Sequence, residues 1–111
     1  MKFEIWLSNL NPQRGTEVGK VRPVLIVKTP LMTELSESTI ICPFTTTPST
    51  SRITKVKVEA SDTSGLTTQS WIIIDQIRTI DKKRLIKKLG ELPEHYHDQV
   101  NQNLKIMLDL D

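Results

Sequence analysis

Cysteine is almost absent: Cys42 is the only one in 111 residues, so no disulfide can form within the chain. A reducing compartment, the cytoplasm, is its natural setting. Glycine is scarce as well, and Gly15, Gly19, Gly65 and Gly90 are too scattered to form a loop that cradles nucleotide phosphates. No apolar run approaches the ~20 residues that a bilayer-crossing helix needs. The segment Met1-Lys2-Phe3-Glu4-Ile5 carries no apolar secretion stretch, so no membrane partner is expected. The only histidines, His95 and His97, are two apart in a helical segment. They project about 200° apart around its axis and cannot share one ion. With a lone cysteine besides, neither a metal site nor a cofactor is expected. Charge of one sign is lacking too, since a net +2 is too small to argue for nucleic-acid binding.

What the chain does contain is ordinary for a folded domain: 37% hydrophobic and 25% charged residues. We read residues 1–111 as one domain. Its small size limits the surface it can bury alone, so pairing with a second copy would help it. The basic residues are bunched. Arg78, Lys82, Lys83, Arg84, Lys87 and Lys88 face a single acid, Asp81, across that stretch, whereas acids dominate after Gly90. Such a block fits either a solvated face or an RNA contact.

Short β-branched runs separated by turn-rich segments predict a mainly β domain. Strands are expected at Phe3–Leu7, Pro23–Val27, Thr39–Thr45, Lys55–Glu59 and Trp71–Ile74, with a short helix near Asp81–Leu85 and a brief strand to Leu89. Pro23 and Pro43 lack a ladder N–H, which points to strand starts, edges or bulges. Pro93 opens the only long helix, on which Tyr96, Val100, Leu104, Met107 and Leu108 recur at helical spacing, with Ile106 and Leu110 widening the stripe. That stripe reads first as core packing, with room for a dimer contact. The sum is a small twisted barrel or half-barrel capped by a C-terminal helix, an α+β arrangement. Trp6 and Trp71 could stack on bases, although their place inside strand patterns favours partial burial.

Two segments carry more. The first runs Ile5-Trp6-Leu7, Leu10-Asn11-Pro12, Arg14-Gly15-Thr16-Glu17 and Gly19-Lys20-Val21-Arg22-Pro23-Val24-Leu25-Ile26-Val27. The second is Asp75-Gln76-Ile77-Arg78-Thr79-Ile80-Asp81-Lys82-Lys83-Arg84-Leu85, and Cys42-Pro43-Phe44-Thr45-Thr46 lies between them. In this order they resemble the MazF/PemK family of toxin–antitoxin ribonucleases, whose pattern is a strand, a Pro-x-x-Gly-x-Glu loop, an Arg-Pro and a later Gln-x-Arg-Thr-Ile-Asp. The resemblance implies an SH3-like barrel, usually a homodimer. It also implies metal-independent cleavage of single-stranded RNA by the RNA's own 2′-hydroxyl, leaving a 2′,3′-cyclic phosphate (or 3′-phosphate) and a 5′-hydroxyl. Family antitoxins present an acidic, flexible tail, which would compete with RNA for a basic groove.

In-line attack needs a base, positive charge on the crowded phosphorane and an acid for the departing oxygen. The family's catalytic arginine and threonine correspond to Arg22 and Thr45. Guanidinium suits the phosphate because it offers parallel donors and stays charged, and a hydroxyl can donate to a non-bridging oxygen. Thr46 is the neighbouring fallback, since a one-residue shift reverses the face. Glu17 reads as a base, as an anchor that orients Arg22, or as a solvated loop charge. Lys20, Arg52, Asp75, Gln76 and Arg78 complete the expected RNA contacts, with a turn locked by an Arg78–Asp81 pair as the structural alternative for the last. Some PemK-like members carry an arginine where this chain has Ile73, which leaves base and acid unassigned. The alternatives are a gyrase poison of the CcdB branch and a non-catalytic RNA-binding or interaction module. The acidic ending Leu108-Asp109-Leu110-Asp111, without an aromatic residue, speaks against the CcdB reading.

Overall fold

A computed structural model describes residues 2–29 and 36–110. Met1, expected at the head of the first strand-like segment, and Asp111, at the acidic end, lie outside the described residues. Among the described residues seven strands occur: β1 (Glu4–Asn9), β2 (Val21–Ile26), β3 (Ser38–Thr45), β4 (Lys55–Val58), β5 (Ser70–Ile73), β6 (Arg78–Asp81) and β7 (Leu85–Glu91). They form one antiparallel sheet in the order β4-β5-β3-β2-β1-β7. β6 lies off that path beside the first half of β3, pairing Ser38 with Asp81 through Ile41 with Arg78. The second half of that edge takes β5, Phe44 opposite Ile72 and Thr45 opposite Trp71. Glu91 N–H donates to the Thr63 carbonyl at 2.9 Å, which joins the β4–β5 connection to β7 and draws the two ends of the path together.

Pro43 occupies a position where no N–H is needed, and neither proline marks an outer edge. Val27 N–H donates to the Ile40 carbonyl. By the two-residue alternation of a strand, Ile40 and Cys42 therefore turn their backbone polar groups toward β2, and Pro43 turns away from it. Pro43 thus faces the gap where β6 pairing has ended at Ile41 and β5 pairing has yet to start at Phe44. The expected edge or bulge is instead an exchange of neighbours within a central strand. Arg78–Asp81, for which a turn was the structural alternative to an RNA contact, is a strand, and no Arg78–Asp81 side-chain pair occurs among the described residues. Asp81 accepts from the Lys83 N–H instead and caps the short 3-10 helix Lys82–Arg84.

Alternation sorts the apolar side chains into two clusters. Ile5, Leu25, Cys42, Phe44, Val56, Val58 and Ile72 face inward, against Val100 of the C-terminal helix α1 (His97–Met107). Tyr96, Leu104 and Met107 pack on the same cluster, as their spacing predicts. Ile106, Leu108 and Leu110 stay exposed. Pro93 leads first into a 3-10 turn, Glu94–Tyr96, and the α-helix follows. Asp98 in its first turn and Lys105 in its last suit the helix dipole. On the outer face, Leu10 and Val18 of the β1–β2 loop cover Val24, Ile26, Ile41 and Ile80. No helix among the described residues is long and apolar enough to cross a membrane.

Cys42 is fully buried in the inner cluster. Burial, with the negative charge of Asp75 adding to it, pushes its thiol up to about 12. Because only the thiolate is nucleophilic, a soluble alkylating reagent at mildly alkaline pH should leave the native protein unmodified. It should label one site promptly in denaturant. Mass spectrometry of quenched samples checks this, and labelling of the native state at the denatured rate would contradict the packing.

Candidate active site

The β1–β2 loop and β2 bring the first site residue into position. Arg22, half-buried at the second position of β2, donates from Nε to the Gly19 carbonyl at 2.9 Å and from Nη1 to the Phe44 carbonyl at 3.2 Å. The second acceptor is available because of Pro23. Leu25 and Cys42 face one another with their backbone polar groups turned inward to the ladder, so the next such pair is Pro23 with Phe44. Proline has no N–H to give, and the guanidinium takes the carbonyl instead. Two of its five N–H donors are thereby fixed, and the others remain for a ligand.

Thr45, at the end of β3, accepts the Thr47 N–H on Oγ1 at 3.2 Å. That contact orients the side chain and leaves the hydroxyl hydrogen free to donate. Arg22, Thr45, Thr46, Thr47, Lys20 and Ser70 line a cavity of about 300 Å³. Lys20 is held at φ 69° by two contacts: its N–H donates to Asn11 Oδ1 and its carbonyl accepts the Leu10 N–H. Four expected residues (Arg22, Thr45, Lys20 and Thr46) thus share one cavity, which no carboxylate of the described residues lines.

The remaining expected residues lie elsewhere. Glu17 is half-buried in the β1–β2 loop, and no bond joins it to Arg22 among the described residues, so the anchoring expected of it falls to the two carbonyls. Gln76 clips that loop to the sheet, accepting the Val18 N–H at 3.4 Å and donating to the Thr16 carbonyl at 3.3 Å. Asp75 is exposed beside it in the 3-10 turn Ile74–Gln76. Arg78 pairs with Ile41 across the β6–β3 ladder, and its Nη1 is buried without a hydrogen-bond partner. Arg52 lines a second cavity, of about 640 Å³. Ile73 is buried opposite Lys55.

The basic block does not form one face. Arg84 donates to the Asn9 and Asn11 carbonyls, and Lys88 reaches Glu4 at 3.5 Å. Successive residues of β7 also point to opposite sides of the sheet. His97 reaches the Leu92 carbonyl through Nε2 at 2.9 Å and stacks on Phe3, and no cluster of three or more metal-ligating side chains occurs among the described residues. Sequence reasoning passed over Asn103. It is buried on α1 and donates to the Arg52 and Ile53 carbonyls at 2.9 and 3.1 Å, fastening the β3–β4 loop to the helix. A polar residue inside an otherwise apolar helical stripe was the available signal.

Comparison with known proteins fits this geometry. Residues 1–108 match the model of the PemK-like, MazF-like toxins of type II toxin–antitoxin systems. Endoribonuclease EndoA of Bacillus subtilis is 33% identical over 108 residues, covering 96% of this chain and 92% of that protein. Endoribonuclease MazF of Staphylococcus saprophyticus is 34% identical, covering 96% and 89% respectively. Among solved structures, the Mycobacterium tuberculosis toxin MazF-mt6 superposes with a TM-score of 0.81 at 26% identity, over 97% of this chain and 98% of that one. With its barrel, its Arg-Pro strand and its threonine-ended β3 matched from end to end, the chain belongs to the PemK-like, MazF-like toxin family of type II toxin–antitoxin systems.

Proposed function

We propose that this chain is a cytoplasmic, sequence-selective endoribonuclease toxin, a single domain that acts as a homodimer on single-stranded RNA without a metal. The observation that carries the reading is the doubly anchored Arg22 guanidinium beside the donor-ready Thr45 hydroxyl in one cavity. Membership in the toxin family, and the endoribonuclease names of its two curated relatives, support the same activity.

In this reading the RNA's 2′-oxygen attacks the adjacent phosphorus, and the bond to the 5′-oxygen breaks. The products are a 2′,3′-cyclic phosphate and a 5′-hydroxyl. Arg22 neutralises the two non-bridging oxygens as negative charge accumulates, and Thr45 donates to one of them. Because no carboxylate of the described residues lines the cavity and none of them bonds Arg22, we assign the 2′-proton to water, and water returns one to the leaving oxygen. Lys20 and Thr46 steady the phosphate, and Arg52 holds RNA beyond it. Asp75, Gln76 and Arg78 act through the shape of the β1–β2 loop and its support. A cognate antitoxin, with an acidic segment that orders on binding, occupies the same basic surface and blocks it.

The test is incubation of purified protein with long single-stranded RNA in EDTA. Discrete fragments with 5′-hydroxyl ends are expected. Thr45→Ser should retain most of the rate and Thr45→Val should lose roughly 100-fold, the scale for one transition-state donor. Intact RNA from folded wild-type protein would overturn the reading and direct attention to gyrase inhibition.

A further inference from the structure

The strand register extends the site beyond the scissile phosphate. Thr45 pairs with Trp71, and Trp71 pairs with Lys57. Directly opposed residues in antiparallel strands project from the same face, so Thr45, Trp71 and Lys57 form a row across β3, β5 and β4. The row leads from the cavity that holds Arg22 and Thr45 to the larger one, of about 640 Å³, which Trp71 and Lys57 both line. One loop serves both spaces: residues 46–47 line the first and residues 49–52 the second.

The second cavity combines two kinds of group. Trp71, His95 and Tyr96 supply aromatic surface, and Arg52 and Lys57 supply positive charge, while no carboxylate of the described residues lines it. Trp71 is only 7% exposed, and its indole N–H makes no hydrogen bond among the described residues; it is not one of their buried unpartnered atoms, so the N–H reaches solvent. Tyr96 is fixed by accepting the Glu59 N–H on its hydroxyl, and the His95 ring lies 4.1 Å from it. Among the described residues Lys57 is tied only to Glu59, at 3.9 Å and largely in solvent, so its ammonium is available. Aromatic rings beside cations are what a base and its phosphate require.

We propose that this cavity is a nucleotide subsite. It holds the nucleotide flanking the scissile phosphate, with the base against the Trp71–His95–Tyr96 surface, the indole N–H donating to a base or sugar oxygen, and the phosphate on Lys57 and Arg52. It thereby sets which sequences are cut. The proposal rests on the ribonuclease reading for its place in the reaction, though not for its chemistry.

The experiment follows the indole N–H resonance of Trp71, isolated in a Trp6→Phe background, during titration with a short 2′-O-methylated RNA oligonucleotide of mixed sequence that cannot be cleaved. The resonance is expected to move on binding. In a Lys57→Ala/His95→Ala variant of unchanged melting temperature, affinity should fall about tenfold, near the worth of one stacked base, and end-sequencing of cleaved RNA should show broadened selectivity. A bound oligonucleotide that leaves Trp71 unmoved would overturn the subsite. So would a double variant with wild-type affinity and selectivity, or an acidic peptide that shifts Trp71 where the oligonucleotide does not. Movement of Trp71 in a protein that cleaves no RNA keeps the subsite and sinks the ribonuclease reading. Cleavage with Trp71 unmoved does the reverse.

Discussion

Arg22→Lys is expected to lower kcat/KM for RNA cleavage by roughly 100- to 1,000-fold, the scale of losing an oriented donor to a developing oxyanion, while the melting temperature changes little. The charge survives this substitution, so the expected loss isolates geometry. Guanidinium spends Nε on the Gly19 carbonyl and one Nη1 hydrogen on Phe44, and still presents a planar edge to the phosphate. An ammonium converges all its donors on a single atom. It can satisfy the carbonyls or the phosphate, and it cannot span both. Arg22→Ala should cost more again, because the phosphorane then loses charge as well as orientation. Single-turnover cleavage of a defined RNA, measured beside thermal melts, decides the matter. Lysine within a few-fold of arginine would mean that position 22 acts only as a point charge and that the two carbonyl contacts are incidental.

The largest effect on stability is expected at Gly65, which has φ +73° where the β4–β5 connection meets β7. A Cβ added there would lie 2.1 Å from the Leu89 carbonyl oxygen, an overlap with backbone that no rotamer change relieves. The left-handed conformation alone costs a non-glycine residue about 1–2 kcal/mol, and overpacking typically adds about 1–3 kcal/mol. Since the Glu91–Thr63 bond that draws the sheet ends together lies beside this contact, Gly65→Ala should lower the melting temperature on the order of 10–20 °C. Gly15→Ala is the control: φ is +56° but nothing lies within 4 Å of its added Cβ, so only the conformational part is lost. Equal losses at the two sites would show that the approach to Leu89 carries no energy.

Much of the fold was legible because alternation is a local property. The strands expected at Lys55–Glu59 and Trp71–Ile74 occur, within a residue, as Lys55–Val58 and Ser70–Ile73, and the helix followed from Tyr96, Val100, Leu104 and Met107. β6 escaped because its four residues make a strand only through the neighbouring edge of β3, which nothing in Arg78-Thr79-Ile80-Asp81 announces. Pro43 was misread for a related reason: whether its missing N–H matters depends on which strand lies alongside, and there the answer is none. Arg22 and Thr45 came from family resemblance, not from composition, since an arginine before a proline and a threonine among threonines are unremarkable alone. The separation of Arg52 from them, and the row joining Thr45 to Lys57 through Trp71, depend on the register that the residues between Thr45 and Lys55 impose. No local pattern encodes it.

Proline in a sheet is ordinarily counted as damage. At position 23 the damage is transferred: the hydrogen bond missing from the ladder becomes a socket for the side chain beside it. Any other residue there would restore an N–H opposite Phe44, and the backbone would compete with the guanidinium for one oxygen. Drift at this position would therefore be quiet in the fold and audible in the chemistry, as a barrel a little better knit around an arginine less well aimed. Pro23 belongs to the working parts of the molecule although it touches no phosphate and moves no proton.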